Sequence, residues 1–83
     1  LQNAANAVLN AVQYVNQTYV DALKAQDKFD EDAQRIAYSR ALAAAKKALT
    51  QETITFIKET FGDLDGYLKP MIEAQVRSQK TYM

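Results

Sequence analysis

Apolar residues near the start of the chain recur at the spacing of an amphipathic helix. From residue 1 to residue 22 they are separated alternately by four and three positions: Leu1, Ala5, Val8, Val12, Val15, Tyr19 and Ala22. A period of 3.5 residues places them on one stripe of a helix, and Leu9, Val20 and Leu23 widen that stripe on one side. Asparagine and glutamine repeat on the opposite face. The pattern predicts a long helix over about residues 3–26.

A second helix is predicted over about residues 31–48, after the polar break QDKFDEDAQ. Asp30 is the N-cap candidate, and Glu31 and Asp32 suit the positive end of the helix dipole. The stretch RALAAAKKAL has a high helix propensity, and its small side chains let a neighbouring helix approach closely. We expect the larger core side chains of this region to be Phe29, Ile36, Leu42 and Leu49.

Two further helices are predicted in the remainder of the chain. Thr50 is the N-cap candidate of a helix over about residues 51–61, and Gly62 is placed to end it. The last helix, over about residues 64–79, contains Pro70, so we expect it either to kink there or to begin one residue before it. The expected buried faces contain Ile54, Ile57 and Phe61 in the third helix, and Leu64, Leu68, Ile72 and Val76 in the fourth.

These elements predict an all-α fold. Strand-like alternation is absent, and Gly62, Gly66 and Pro70 are the only glycine and proline residues. A chain of 83 residues has the length of one domain. We therefore expect residues 1–83 to form a single helical domain, a small bundle of three to four helices with a long N-terminal amphipathic helix. Its core is thin, because 14 residues are alanine, so association between chains would add stability.

Composition excludes several classes of function. Ten basic and ten acidic residues give no net charge, which argues against a nucleic-acid partner. The chain has no cysteine and no histidine, so thiolate chemistry, disulfides and the commonest general base and zinc ligand are missing. We therefore predict a protein that is not an enzyme, with no catalytic residue, cofactor, metal or small-molecule substrate. The start at Leu1, without an initiator methionine, predicts a fragment of a longer protein.

The segment GDLDG is the one that most resembles a calcium loop. With Gly66 at the sixth position of an EF-hand loop, Asp63 and Asp65 are correctly placed, but Phe61 and Ile72 occupy positions that need oxygen ligands. A turn between helices is therefore the better interpretation. The denser acidic cluster has no ligand-loop spacing either, and we interpret it as helix capping and a solvated helix start: Asp27, Asp30, Glu31 and Asp32.

Two interpretations of the N-terminal stripe stay open at this point. The stripe can pack within its own monomer, or part of it can pack against a second copy of the chain. A narrow, valine-rich seam and a thin core favour self-association, which makes a homo-oligomer through the N-terminal helix the expected assembly. The residues predicted to form this seam are Ala5, Val8, Val12, Val15 and Tyr19.

Three motifs resemble those of a known family. They are the helix-one core (Ala11, Val12, Tyr14, Gln17, Thr18 and Tyr19), the turn GDLDGYL (Gly62 to Leu68) and the closing IEAQV (Ile72 to Val76). Over about residues 5–79, the chain resembles the soluble helical region of small phage and prophage proteins grouped with the LLH-type holins. Most of the matching residues are of the kind that pack helices, with no catalytic signature among them.

The resemblance implies a membrane context in a bacterial host. Such holins place one hydrophobic helix near the N-terminus, with a helical region after it, and accumulate in the inner membrane. The first twenty residues here include eight Asn, Gln or Thr, which is too polar for a span, so membrane contact would need a segment upstream of Leu1. The alternative is a soluble helical adaptor or structural protein of a phage or mobile element, which binds a protein partner through an amphipathic helix.

Overall fold

The computed structural model describes residues 2–80, in which four helices are joined by short connections. No strand occurs in this range, so the predicted all-α bundle with a long N-terminal helix is confirmed. Each helix begins and ends within one residue of its predicted bounds. Helix α1 occupies residues 2–25 and consists of α-helices at Gln2–Val15 and Asp21–Ala25 with a π-helical turn at Asn16–Val20 between them; the others are α2 (Glu31–Ala48), α3 (Gln51–Phe61) and α4 (Leu64–Lys80).

The predicted start and stop signals of α2 and α3 are confirmed. The Asp30 carboxylate accepts a hydrogen bond from the amide three residues later, at 2.8 Å. The Thr50 hydroxyl accepts one from the Thr53 amide at 3.2 Å. Gly62 follows α3 with a φ of +86°, and its amide donates to the carbonyl of Lys58. These local bonds satisfy backbone groups that the ends of a helix would otherwise leave free.

Helix α4 is continuous through Pro70. It begins at Leu64, and its first backbone hydrogen bond joins the Tyr67 amide to the Asp63 carbonyl at 3.0 Å. The alternative prediction, a start one residue before the proline, is therefore wrong. Proline lacks an amide hydrogen, so α4 loses one backbone bond at this position, and the exposed Pro70 ring lies on the solvent side.

Helices α1 and α2 form an antiparallel pair. The short connection over residues 26–30 joins them at one end, which we call the loop end. At the opposite end, which we call the closed end, the Asn3 side-chain oxygen accepts a hydrogen bond from the Thr50 amide at 3.1 Å. This bond ties the start of α1 to the connection between α2 and α3.

Helix α4 lies along both helices of this pair and runs antiparallel to α2. The Lys46 ammonium contacts the Asp65 carboxylate at 2.5 Å. Nearer the loop end, the Tyr38 hydroxyl donates to the carbonyl of Lys69 at 3.3 Å. Since positions along α2 fall as those along α4 rise, the two helices run in opposite directions. The short α3 packs on α4.

The core combines small side chains between α1 and α2 with large ones from α3 and α4. The larger fully buried side chains include Ile57, Leu68 and Ile72. One stripe of α1 and every fourth residue of α2 are buried as well. The α2 stripe is all alanine and the α1 stripe combines alanine with valine, so the two helices can approach closely. These residues are Ala4, Ala7, Val8, Ala11, Val12 and Val15 in α1, and Ala33, Ala37, Ala41 and Ala45 in α2.

Two predicted core residues lie at the surface instead. Ile36 is 45% exposed, because the buried stripe of α2 follows the alanines and Ile36 lies beside that stripe. Phe61 is 54% exposed, and its ring stacks on that of Tyr67 at a centroid distance of 4.7 Å. The face predicted for α4 is confirmed, since Leu68 and Ile72 are buried and the two flanking apolar residues are partly buried.

Candidate functional site

The π-helical turn changes which residues of α1 face the core. A straight helix would place Tyr19 after Val15 on the buried stripe, as the heptad pattern predicts. The next buried residue is Val20, five positions after Val15, because a π-helix bonds each amide to the fifth residue before it. Here the Asp21 amide donates to the Asn16 carbonyl. Beyond residue 15 the predicted stripe is therefore wrong, since Tyr19 lies beside the buried face and Ala22 is exposed. Before it, Ala4 is buried in place of the predicted Ala5.

A side chain supports the backbone at this turn. The Thr18 hydroxyl donates to the carbonyl of Tyr14 at 2.8 Å. In a π-helical turn the backbone amides bond to the fifth residue before them, so the carbonyl four residues before an amide loses its usual donor. A threonine hydroxyl can donate to that carbonyl instead. On the outer side of the turn, the Arg40 guanidinium lies 4.3 Å from the ring centroid of Tyr19. The turn is thus held by α1 itself and by α2.

Next to the turn, a groove of about 310 Å³ opens between α1, α2 and α4. Ala37 and Ala41 contribute only methyl groups to its wall, so α2 leaves the space unfilled. Polar side chains of Asn16, Asp21, Lys24, Gln34 and Tyr38 contribute the remainder of its lining. The apolar walls are formed by Val12, Val15, Val20, Phe29, Ala37, Ala41, Ile72 and Val76. A groove of this composition can hold apolar groups that are larger than a single methyl.

A more open depression adjoins the groove at the loop end. Lys24 and Phe29 line both, and Asp27 and Asp30 complete the depression. The Lys24 ammonium lies 5.6 Å from the ring centroid of Phe29. We call the three carboxylates of Asp21, Asp27 and Asp30 the acidic rim, because they line the groove and this depression.

Tyr38 connects the groove wall to α4 through its bond to the Lys69 carbonyl. Partial burial and, to a smaller extent, the negative charge of Glu73 raise the pKa of the Tyr38 hydroxyl above its usual value. The hydroxyl therefore stays protonated at neutral pH and acts as a hydrogen-bond donor. The ionisable side chains that line the groove with Tyr38 are Asp21 and Lys24.

The predicted self-association seam does not form one open surface. Val8, Val12 and Val15 are buried within the monomer, where α2 and α4 cover α1. Ala5 is exposed and Tyr19 is partly buried. Packing within the monomer thus accounts for the burial of the three valines, of which Val12 and Val15 also line the groove. Self-association of the chain through another surface stays a prediction.

The groove was not predicted from the sequence. Its signals were present separately: Val20 beside the predicted stripe, and alanine every four residues in α2. The cap interpreted for Asp30 is confirmed.

Among residues 2–80, no three or more acidic side chains lie together in a way that could hold a metal ion. Over the same residues, every helix is too short or too polar to cross a membrane.

Comparisons with known proteins give no match of any kind: no family model, no curated protein sequence and no solved structure matches this chain. The resemblance to the LLH-type holins accordingly stays a prediction from the sequence motifs.

Proposed function

We propose that this chain is a non-enzymatic helical domain that binds a protein partner. In this proposal, an amphipathic helix of the partner inserts its apolar side chains into the groove between α1, α2 and α4. The observation that supports it is an apolar groove of about 310 Å³ that remains open in a chain with so small a core. Helices commonly recognise such grooves through apolar residues at positions i, i+3, i+4 and i+7.

The chemistry of the groove favours binding over reaction. Its walls are mainly the methyl groups of aliphatic side chains and the rings of Phe29 and Tyr38, and the Tyr38 hydroxyl already bonds to a backbone carbonyl. Recognition there depends on removing apolar surface from water, which is the main source of affinity in most protein associations. Polar side chains around an apolar centre are also the usual arrangement of a protein interface.

Filling the groove tests this proposal. Ala41→Leu places a larger side chain in the groove, so we expect it to abolish binding of an amphipathic peptide with leucine at the four anchor positions. Ala43→Leu adds the same side chain at an exposed position of the same helix and serves as the control. Peptide binding is measured by fluorescence anisotropy, and helical content by circular dichroism. Equal binding by Ala41→Leu and wild type would contradict the proposal.

A second candidate follows from the sequence resemblance. We propose, as an alternative, that the chain is the self-associating helical part of a phage or prophage holin-like protein, anchored to the inner membrane by another segment. Phe56 and Phe61 support it, since they are 48% and 54% exposed on α3 and offer apolar surface for a second copy. Sedimentation velocity at micromolar concentration should then show an oligomer that Phe56→Ser weakens. A monomer across that range counts against this alternative.

A further inference from the structure

We infer that the partner helix is basic, with lysine or arginine beside its apolar anchors, and that these cations meet the acidic rim of the groove. This inference rests on the proposed function, because it names the kind of helix that the same groove accepts. The inference concerns the charge of the partner helix, whereas the proposed function concerns only the apolar side chains that enter the groove.

Charge is distributed unevenly although the whole chain is neutral. Half of its ten acidic residues lie between positions 21 and 32, where they outnumber the basic residues by five to two. The acidic residues are Asp21, Asp27, Asp30, Glu31 and Asp32, and the basic ones are Lys24 and Lys28. This excess of carboxylates belongs to the segment that joins α1 to α2; Arg35 on α2 and Arg77 on α4 also lie toward this end of the bundle.

The carboxylates of the acidic rim have no basic partner of their own. In the described part of the chain, the ion pairs join Arg35 to Asp32 and Lys46 to Asp65. Neither pair includes Asp21, Asp27 or Asp30. Three carboxylates outside any ion pair, one of them (Asp30) also the N-cap of α2, lie beside an apolar groove. They complement a helix with cations next to its apolar stripe, and such complementarity favours one partner over another.

The contact between Lys24 and Phe29 shows that a cation fits at the mouth of the groove. The Lys24 ammonium lies over the Phe29 ring, and both residues line the groove and the depression next to it. Lys24 is exposed, so its side chain can turn outward and leave this position to a lysine or arginine of the partner. An acidic helix would instead place its carboxylates against those of the rim.

Two peptides with the same apolar anchors test the inference. One carries lysine and the other glutamate at its remaining exposed positions, and each is titrated against the full chain at low and at high salt. We expect the lysine peptide to bind at least about tenfold more tightly at low salt. Added salt should reduce that preference, because it screens exposed charges.

Variants identify the carboxylates responsible. The triple variant Asp21→Asn, Asp27→Asn and Asp30→Asn removes the rim charges, and we expect it to bring the ratio of the two affinities close to one. Asparagine also serves as an N-cap and tolerates the positive φ of 58° at residue 27, so the backbone is preserved. A matched control removes three carboxylates elsewhere and should leave the ratio unchanged: Glu52→Gln, Glu59→Gln and Asp63→Asn.

The outcomes separate the inference from the proposed function. If neither peptide binds, the proposed function is overturned and the inference with it. If both bind equally, or the glutamate peptide binds better, the inference is overturned and the groove keeps its proposed role. The comparison of peptides needs no variant, and Asp21→Asn alone, at an exposed helical position, gives a second measurement if the triple variant does not fold.

Discussion

The two ends of the α1–α2 pair are packed differently, although α2 presents alanine at both. At the closed end, Ala4 and Ala45 have no exposed surface. At the loop end, Ala37 and Ala41 line a groove. The same small side chain thus closes an interface in one place and leaves a space in another. What differs is the path of α1, which is a regular α-helix opposite the closed end and contains a π-helical turn near the loop end.

This comparison separates two uses of small residues. Alanine permits close approach only where the opposite helix moves in to fill the space. At the loop end α1 contains the π-helical turn, and α4 contributes only Ile72 and Val76 to the groove wall. There the small alanine side chains of α2 leave an open groove instead. A stripe of small residues therefore predicts neither close packing nor a binding site without knowledge of the helix that faces it.

The largest expected difference between the two regions concerns removal of core side chains. Leu68 is fully buried and does not line the groove, so Leu68→Ala should lower the free energy of unfolding by roughly 2–5 kcal/mol. Val76 is partly buried at the groove, and Val76→Ala should lower it by less than about 1 kcal/mol. Urea denaturation at equilibrium gives both values. Similar losses for the two variants would mean that the groove is packed as tightly as the core.

Enlarging alanine gives the next effect in size and tests the two ends directly. Ala45→Leu inserts a side chain where no space exists and should destabilise the fold by roughly 1–3 kcal/mol. Ala41 is also buried, but its side chain faces the groove, so Ala41→Leu can extend into open space and should destabilise the fold by less than about 1 kcal/mol. Thermal unfolding followed by circular dichroism compares the variants. An equal loss of stability at both positions would mean that the two ends of the α1–α2 pair are packed equally tightly.

The smallest effect concerns pH at the groove wall. Folding raises the pKa of the Tyr38 hydroxyl, so above about pH 10 the unfolded chain releases this proton first and stability falls as pH rises through the folded-state pKa. Below that range Tyr38 is protonated in both states and contributes no pH dependence. Tyr38→Phe should reduce the alkaline loss, measured as urea midpoints from pH 9 to pH 11. Tyr14→Phe, at an exposed ring, is the control, and an equal effect there would contradict the assignment.

The bounds of the helices could be predicted because their signals are local. Asp30, Thr50 and Gly62 act on backbone groups within a few residues, and each does so in the structure. The π-helical turn could not be predicted in this way. Its bonds differ from those of an α-helix by one residue, and the sequence NQTYV carries no proline or glycine to mark a change.

The faces of the helices were predictable only where large apolar residues mark them. In α4, leucine and isoleucine four residues apart identify the buried side. In α2 the buried stripe consists of alanine, which is common on both faces, so the larger Ile36 suggested the wrong side. The groove needed three helices and their positions relative to one another, which no local pattern contains.

The π-helical turn has a consequence for how chains of this fold are compared. Without one exposed residue of the turn, such as Gln17, Val15 and Val20 would be four positions apart, and Leu23 would follow three later. That is the spacing of an uninterrupted α-helix, so the turn accommodates a one-residue insertion while the same valines face inward. A single gap in an alignment near this point would then distinguish homologues that have the groove from those that do not.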